Sequence, residues 1–430
     1  TAASTAALPA VAERVQEFLP LYSSVHRGAG YKSQLATHRY EEARSAALRF
    51  AGRDESGPDV AIICRNTTEA INHLAYRLRL DPDDTVVTTV VEHHADLLPW
   101  ARLCRRRYVE CDRTGTFGVD DVVDALEQAD RPRLLAITGA SNVSGWQPPL
   151  HEAIEEAHSR GIPVLVDAAQ LAPHRPLPAD TDFVAWSGHK MYAPFGAGVL
   201  IGHRSAFMDG DPFLAGGGAV DLVDLDEVAW SPPPEREEAG SPNVVGAVAL
   251  HAAMDHLQAI GWDAVQAHDD ELARRLRAGL AAIPAVRLLG PSPEARTLPI
   301  ATFTVADVPH ALVAARLSYE FAIGVRHGCF CAHPYLIRLL GLTDREVADF
   351  RQAVRGGDRR AVPGAVRASA GINTSADDID RLLQAVAVIA SGERPPFEYL
   401  QDPHSGDYRP PPGREPWNFA LTTVAACAVG

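Results

Sequence analysis

Residues 163–202, PVLVDAAQLAPHRPLPADTDFVAWSGHKMYAPFGAGVLIG, hold three short apolar runs, and the first two lead into charge. Val164, Leu165 and Val166 run directly into Asp167. Phe183 to Trp186 lead into Ser187, Gly188, His189 and Lys190, with the flexible Pro194-Phe195-Gly196-Ala197-Gly198 behind them. A run that is apolar throughout, rather than at every second position, predicts a strand covered on both faces. Such strands belong to mostly parallel sheets.

The same pattern extends in both directions. DVAIIC (59–64), TVVTTVV (85–91) and RLLAITG (133–139) read as further strands. TTEAINHLAYRL (67–78), VDDVVDALEQ (119–128) and LHEAIEEAHSRG (150–161) space apolar residues three and four apart, as amphipathic helices do. The reading is an α/β fold whose large domain carries a mostly parallel sheet flanked by helices, with ligands expected at the carboxyl ends of the strands. From about residue 244 a long helix leads to a smaller α+β region with helical DDELARRLRAGLAAI, strand-like IATFTV and helical SADDIDRLLQAVAVIA. The expected boundaries are 22–250 for the large domain, 1–21 with 251–394 for the small one, and 395–430 for a Pro-rich tail.

Composition narrows the partners. A formal charge of −15 in 430 residues argues against nucleic acid and anionic membrane surfaces. No apolar run reaches the roughly 20 residues a membrane helix needs, and the start lacks the pattern of a signal peptide. Six scattered cysteines do not form a disulfide framework, so a cytoplasmic setting is expected. Cys329 and Cys331 are one residue apart, which is not a zinc-ligand spacing, and no metal is expected.

Lysine is nearly absent from this chain: Lys32 and Lys190 stand against 38 arginines. A guanidinium stays charged, whereas a desolvated lysine can lose its proton and attack a carbonyl. Asp167, after an apolar run, needs a cation or a strong donor, and a protonated heteroaromatic nitrogen would serve; capping the next helix or holding magnesium would serve as well. Thr67 and Thr68 either cap a helix or, with free backbone N–H groups, bind an anion. His93 and His94 leave a strand end, to stack on a ring or simply to open a helix. Lys190, Asp167 and the hydroxyls together are the parts that hold pyridoxal 5'-phosphate.

With these parts in place, the chain resembles the class V aminotransferase family of fold type I, within it the cysteine desulfurase and selenocysteine lyase branch. The matching segments run in family order: TAAST (1–5), SVHRG (24–28), RNTTEAIN (65–72), EHHADLLPW (92–100), ASNVSG (140–145), VDAAQ (166–170), WSGHKMYAPFGAGVL (186–200), EAGSPN (238–243), CFCAHP (329–334) and VRASAGINTSADDID (366–380). The resemblance implies that Lys190 forms the Schiff base, Asp167 pairs with the pyridinium and His93 stacks on the ring. It implies that Gln170 contacts the phenolic oxygen, that Thr67, Thr68, Ser187 and His189 surround the phosphate, and that Ser241 arrives from the second subunit of a homodimer. Arg367 would clamp the substrate carboxylate, with Asn142 and His26 on the substrate side. Cys331 matches the nucleophile that takes sulfur from cysteine as a persulfide, leaving alanine, with a sulfur-acceptor protein as the onward partner.

Two departures matter. The family start follows a short strand that the numbered sequence lacks, as though it begins inside a longer chain. Thirty-five residues also separate Cys331 from Arg367, more than in the desulfurases, and include LTDREVADFRQAVRGGDRRAVPG. An insertion beside a site changes what can enter it, so a C–S lyase, epimerase or aminotransferase acting on another amino acid, with Cys331 not catalytic, stands as the alternative. A non-enzymatic ligand-binding module would need a lost lysine or an added DNA-binding segment, and neither is present.

Overall fold

The computed structural model describes residues 2–26 and 28–415; Thr1, Arg27 and 416–430, with Cys427 and the far end of the expected tail, lie outside them. Seven strands form the main sheet: β1 (Asp59–Cys64), β2 (Thr85–Thr89), β3 (Arg105–Val109), β4 (Pro132–Thr138), β5 (Val164–Asp167), β6 (Phe183–Ser187) and β7 (Gly198–His203), in the order β1-β7-β6-β5-β4-β2-β3. The strands β6-β5-β4-β2-β3 pair in parallel, and β7 runs antiparallel to both β1 and β6.

Every residue of β2, β5 and β6 is buried. Alternate residues serve opposite faces: in β4, Leu135 and Ile137 join one cluster with the helices Val119–Glu127, Leu150–Ser159 and Val244–Ile260, while Leu134 and Ala136 join another with Thr67–Arg77 and Trp100. The β3 edge looks different, as water on one side requires. β3 opens with three exposed arginines, Arg105 to Arg107, which protects an edge from further pairing.

A short hairpin follows, β8 (Val220–Val223) with β9 (Val228–Trp230), carrying exposed Leu222, Val223 and Leu225. A second sheet is wholly antiparallel, in the order β10 (Val286–Leu289), β11 (Ile300–Val305), β13 (Ala365–Ser369), β12 (Arg326–Gly328). The helices Trp262–Ala281, His310–Phe321 and Ala376–Ala390 cover it around a core of its own. The N-terminal helix Pro9–Phe18 packs on Val244–Ile260. The insertion forms the helix Asp344–Arg355, which starts from a Thr343/Glu346 capping box and contains no buried residue.

Because β7 reverses between β6 and β1, β1 runs parallel to the central strands, and its carboxyl end reaches the same edge as theirs. Gly198 opens β7 there, paired to Ser187 on one side and to Cys64 on the other. A Cβ on it would lie 2.7 Å from Trp186 O and 2.8 Å from Asn66 Cα. Gly198→Ala is therefore expected to lower unfolding stability by about 1–3 kcal/mol in a denaturant titration, while Gly324→Ala, in open space, leaves it unchanged.

Candidate active site

Five strand ends converge at one edge of the main sheet, and each delivers a different group. After β1 comes the helix Thr67–Arg77. Its cap is Asn66, whose side chain accepts from Glu69 N at 3.0 Å, so the threonines are not needed for capping. Thr67 instead reaches across to β6, its N–H donating to Ser187 Oγ (2.8 Å) and its hydroxyl pairing with the same oxygen (2.7 Å). Thr68 stands exposed beside them. This is a hydroxyl-lined helix N-terminus, with polarity suited to an anion.

After β2 come Glu92, His93 and His94. His93 Nδ1 accepts from Ala95 N (3.1 Å), which leaves its proton on Nε2. Burial, with Lys190 next, pushes the imidazole down to about 3, so the ring is neutral. His94 donates its backbone N–H to Cys331 O (2.8 Å) and stacks on His333 at 5.0 Å. β4 is followed by Asn142, whose amide donates to Phe330 O (2.7 Å).

β5 ends on Asp167 and β6 leads to Lys190 through a tight turn, Gly188–Lys190. Asp167 is 4% exposed; one oxygen accepts from Ala169 N (2.9 Å), and no donor to the other is found among the described residues. Burial lifts its carboxyl above the ordinary range, and Lys190 opposes the rise. Burial pulls the Lys190 amine down to about 8, against the attraction of Asp167 and helped by the cations Arg367 and Arg326. An amine so placed is largely uncharged and nucleophilic at mildly basic pH.

The second sheet supplies the rest. Arg326 and Arg367 are cross-strand partners on β12 and β13. Arg367, 3% exposed, donates to Asn142 O (2.6 Å), and its guanidinium lies 5.0 Å from the Phe330 ring centre. Among the described residues it makes no ion pair, and its buried Nε has no acceptor. A buried guanidinium stays charged and is costly without an anion, so the position calls for a carboxylate. Cys331 stands within electrostatic reach of both Lys190 and Arg367. Its loop is strained: Gly328, Phe330 and Cys331 have φ of 101°, 56° and 56°, a region non-glycine residues seldom enter.

His327 and His333 are held below the usual imidazole value by burial, and His327 also pairs with Asp407 of the tail at 3.2 Å. The positive charge near Cys331 thus comes from the arginines, not from the histidines beside it in sequence.

Gln170, 4% exposed, spends one amide hydrogen on Ala2 O (2.8 Å). His189 lies half-buried beside the lysine, and its carbonyl accepts from Thr5 N (2.8 Å), Thr5 Oγ1 (3.2 Å) and Ser4 Oγ (3.1 Å). The N-terminal segment thereby straps the lysine turn in place. Ser241 and His26 do not join this cluster within the chain. Ser241 is exposed, and His26, at φ 63°, pairs with Glu41 at 2.6 Å. Sequence reasoning also passed over Thr5 and Tyr192, whose hydrogen-bond partners are distant along the chain, and the Glu92–Asp96 pair, which a four-residue spacing does not mark.

A cavity of about 460 Å³ flanks the cysteine loop, with Cys329 and His333 at one side and Leu336, Phe350 and Val354 from the two helices around it. It is the space that the insertion encloses.

The profile of the class V aminotransferase family matches residues 1–382. The chain belongs to that family. A cysteine desulfurase of Dickeya dadantii is 35% identical over 395 residues, 89% of each chain. Among solved structures, a cysteine desulfurase from Thermococcus onnurineus in its apo form overlays with a TM-score of 0.80 at 31% identity, covering 91% of this chain and 94% of that one. A cysteine desulfurase from Escherichia coli gives 0.73 at 33% identity, covering 90% and 92%. The main sheet with its single antiparallel β7, flanked by helices and followed by the second sheet, is thus the architecture of class V enzymes.

The depressed lysine has a direct consequence. In cofactor-free protein, the rate at which Lys190 condenses with a small aldehyde should rise through a midpoint near pH 8, because only the uncharged amine attacks. Asp167→Asn removes the anion that holds the proton on, so the midpoint should move lower still in a stopped-flow pH series.

Proposed function

We propose that this class V enzyme is a pyridoxal 5'-phosphate-dependent cysteine desulfurase, taking sulfur from L-cysteine as a persulfide on Cys331 and releasing alanine. The observation that carries the reading is the convergence on one amine: Lys190 is met by Asp167 from the adjacent strand end, and by Arg367 and Cys331 from the second sheet.

The residues present fit the cofactor. Asp167 has an oxygen free for a ring nitrogen, and the neutral His93 ring is suited to stacking. Thr67, Thr68, Ser187 and His189 would surround the phosphate, the Thr67–Ser187 hydroxyl pair lying at the helix N-terminus, and Gln170 would contact the phenolic oxygen. Ser241, exposed on this chain, would complete the phosphate's surroundings from the other subunit of a homodimer. When bound, the cofactor supplies an electron sink for bonds at the substrate Cα.

The chain's own groups do the rest. Arg367 binds the substrate carboxylate, for which a guanidinium is well shaped. Asn142, whose buried Oδ1 has no partner among the described residues, would meet the substrate. Lys190 takes the Cα proton as a base. Cys331 Sγ attacks the substrate sulfur, an S–S bond forming as the C–S bond breaks, and the carbon left behind is protonated to alanine. The persulfide then passes to an acceptor protein in the cytoplasm.

The insertion supports one rival. The cavity beside Cys329 has room for a larger apolar side chain, as a C–S lyase, epimerase or aminotransferase of another amino acid would require.

Product analysis separates the two. With cysteine as substrate, Cys331→Ala should lower alanine formation by about a thousandfold or more, the scale on which losing a nucleophile acts, while Cys329→Ala keeps most of it. Equal loss in both, or in neither, would favour the rival.

A further inference from the structure

Beneath the strand ends lies a second pair of acids with no role in the chemistry above. Glu92 follows β2 and Asp96 comes four residues later; both are 0% exposed. Their four oxygens can be accounted for one by one. Glu92 Oε1 accepts from Thr89 Oγ1 (2.7 Å) and Thr138 N (2.9 Å). Asp96 Oδ1 accepts from Trp100 Nε1 (3.0 Å). Glu92 Oε2 and Asp96 Oδ2 are both buried without a hydrogen-bond partner among the described residues, and the two carboxyl groups act on each other directly.

Two carboxylate oxygens make a hydrogen bond only with a proton between them. A second proton would have to sit on Oε1 or Oδ1, where N–H and O–H donors already point. The count therefore allows one proton and leaves one negative charge. Burial holds both acids above the ordinary carboxylate range, and Asp167 at the end of β5 adds repulsion to each. The other charged groups on the helix packed against this turn are engaged elsewhere: His73 with Glu237 (2.6 Å), Arg77 with Glu237 (3.6 Å) and Glu69 with Arg65 (3.1 Å).

We propose that Glu92 and Asp96 share a single proton and act as positioning residues, a buried monoanion behind Asp167 that favours a protonated ring nitrogen above it. The proposal rests on the reading that Asp167 faces the cofactor ring, and it adds a second layer of negative charge to that contact. A lone Asp167 would have to hold the cation against burial by itself.

Infrared spectroscopy of the cofactor-free protein tests the proton. At pH 8, where ordinary carboxylic acids are ionised, the unaltered protein should show a protonated-carboxyl C=O band that shifts in heavy water. Its absence overturns the proposal without any variant. Glu92→Gln should abolish the band, because the amide donates to an ionised Asp96, while Asp167→Asn should keep it.

Loading with pyridoxal phosphate tests the charge. The pH midpoint of the bound cofactor's absorbance should stay put in Glu92→Gln, where the charge survives, and fall by about one unit in the Glu92→Gln/Asp96→Asn double variant. A midpoint that stays put in the double variant contradicts the positioning role. Failure to take up the cofactor at all would instead count against the functional reading and leave the infrared result standing.

Discussion

A carboxylate and an amine at neighbouring strand ends, Asp167 and Lys190, hold the site together. Burial penalises the charged form of each, and each relieves the other: the amine draws the carboxyl down, and the carboxylate draws the amine up. Neither would be tolerable alone at that depth. Their placement depends on the parallel pairing of β5 with β6, which sets Asp167 beside Ala185 and sends the chain through Ser187 into the lysine turn. The same turn is tied to the N-terminal segment by three hydrogen bonds to the His189 carbonyl.

Charge is distributed around this pair with a clear division of labour. Lasting positive charge comes from guanidinium groups, Arg367 and Arg326 on adjacent strands, while the His93 ring is neutral through burial. A cation that cannot lose its proton suits a carboxylate clamp, and a neutral ring suits stacking. The one group able to switch between proton carrier and nucleophile is the lysine. The strained cysteine loop is fastened from three directions, by His94 to the Cys331 carbonyl, by Asn142 to the Phe330 carbonyl and by Arg367 over the Phe330 ring. Residues held this firmly keep a left-handed backbone that would otherwise relax.

Much of this was legible in the linear chain because the central strands are buried on both faces and so read as unbroken apolar runs. Asp167 and Lys190 stood out as charges at the ends of such runs. The edge strand β3 was not legible: Arg105, Arg106 and Arg107 give it the composition of a surface loop, and only its pairing with β2 makes it a strand. The helix Trp262–Ala281 begins seven residues before its most regular stretch, at the point where Gly261, with φ of 86°, turns the chain. The capping role of Asn66 and the linkage of Thr67 to Ser187, 120 residues away, depend on tertiary approach alone. So does the Glu92–Asp96 contact, since four residues along a chain that leaves a strand do not by themselves bring two side chains together.

The most direct test of the central claim is to incubate the protein with pyridoxal phosphate, reduce with borohydride and locate the modified lysine by peptide mass spectrometry. The chain offers two lysines. The account predicts stoichiometric labelling of Lys190. Labelling of Lys32 in its place, or of no lysine, would contradict it.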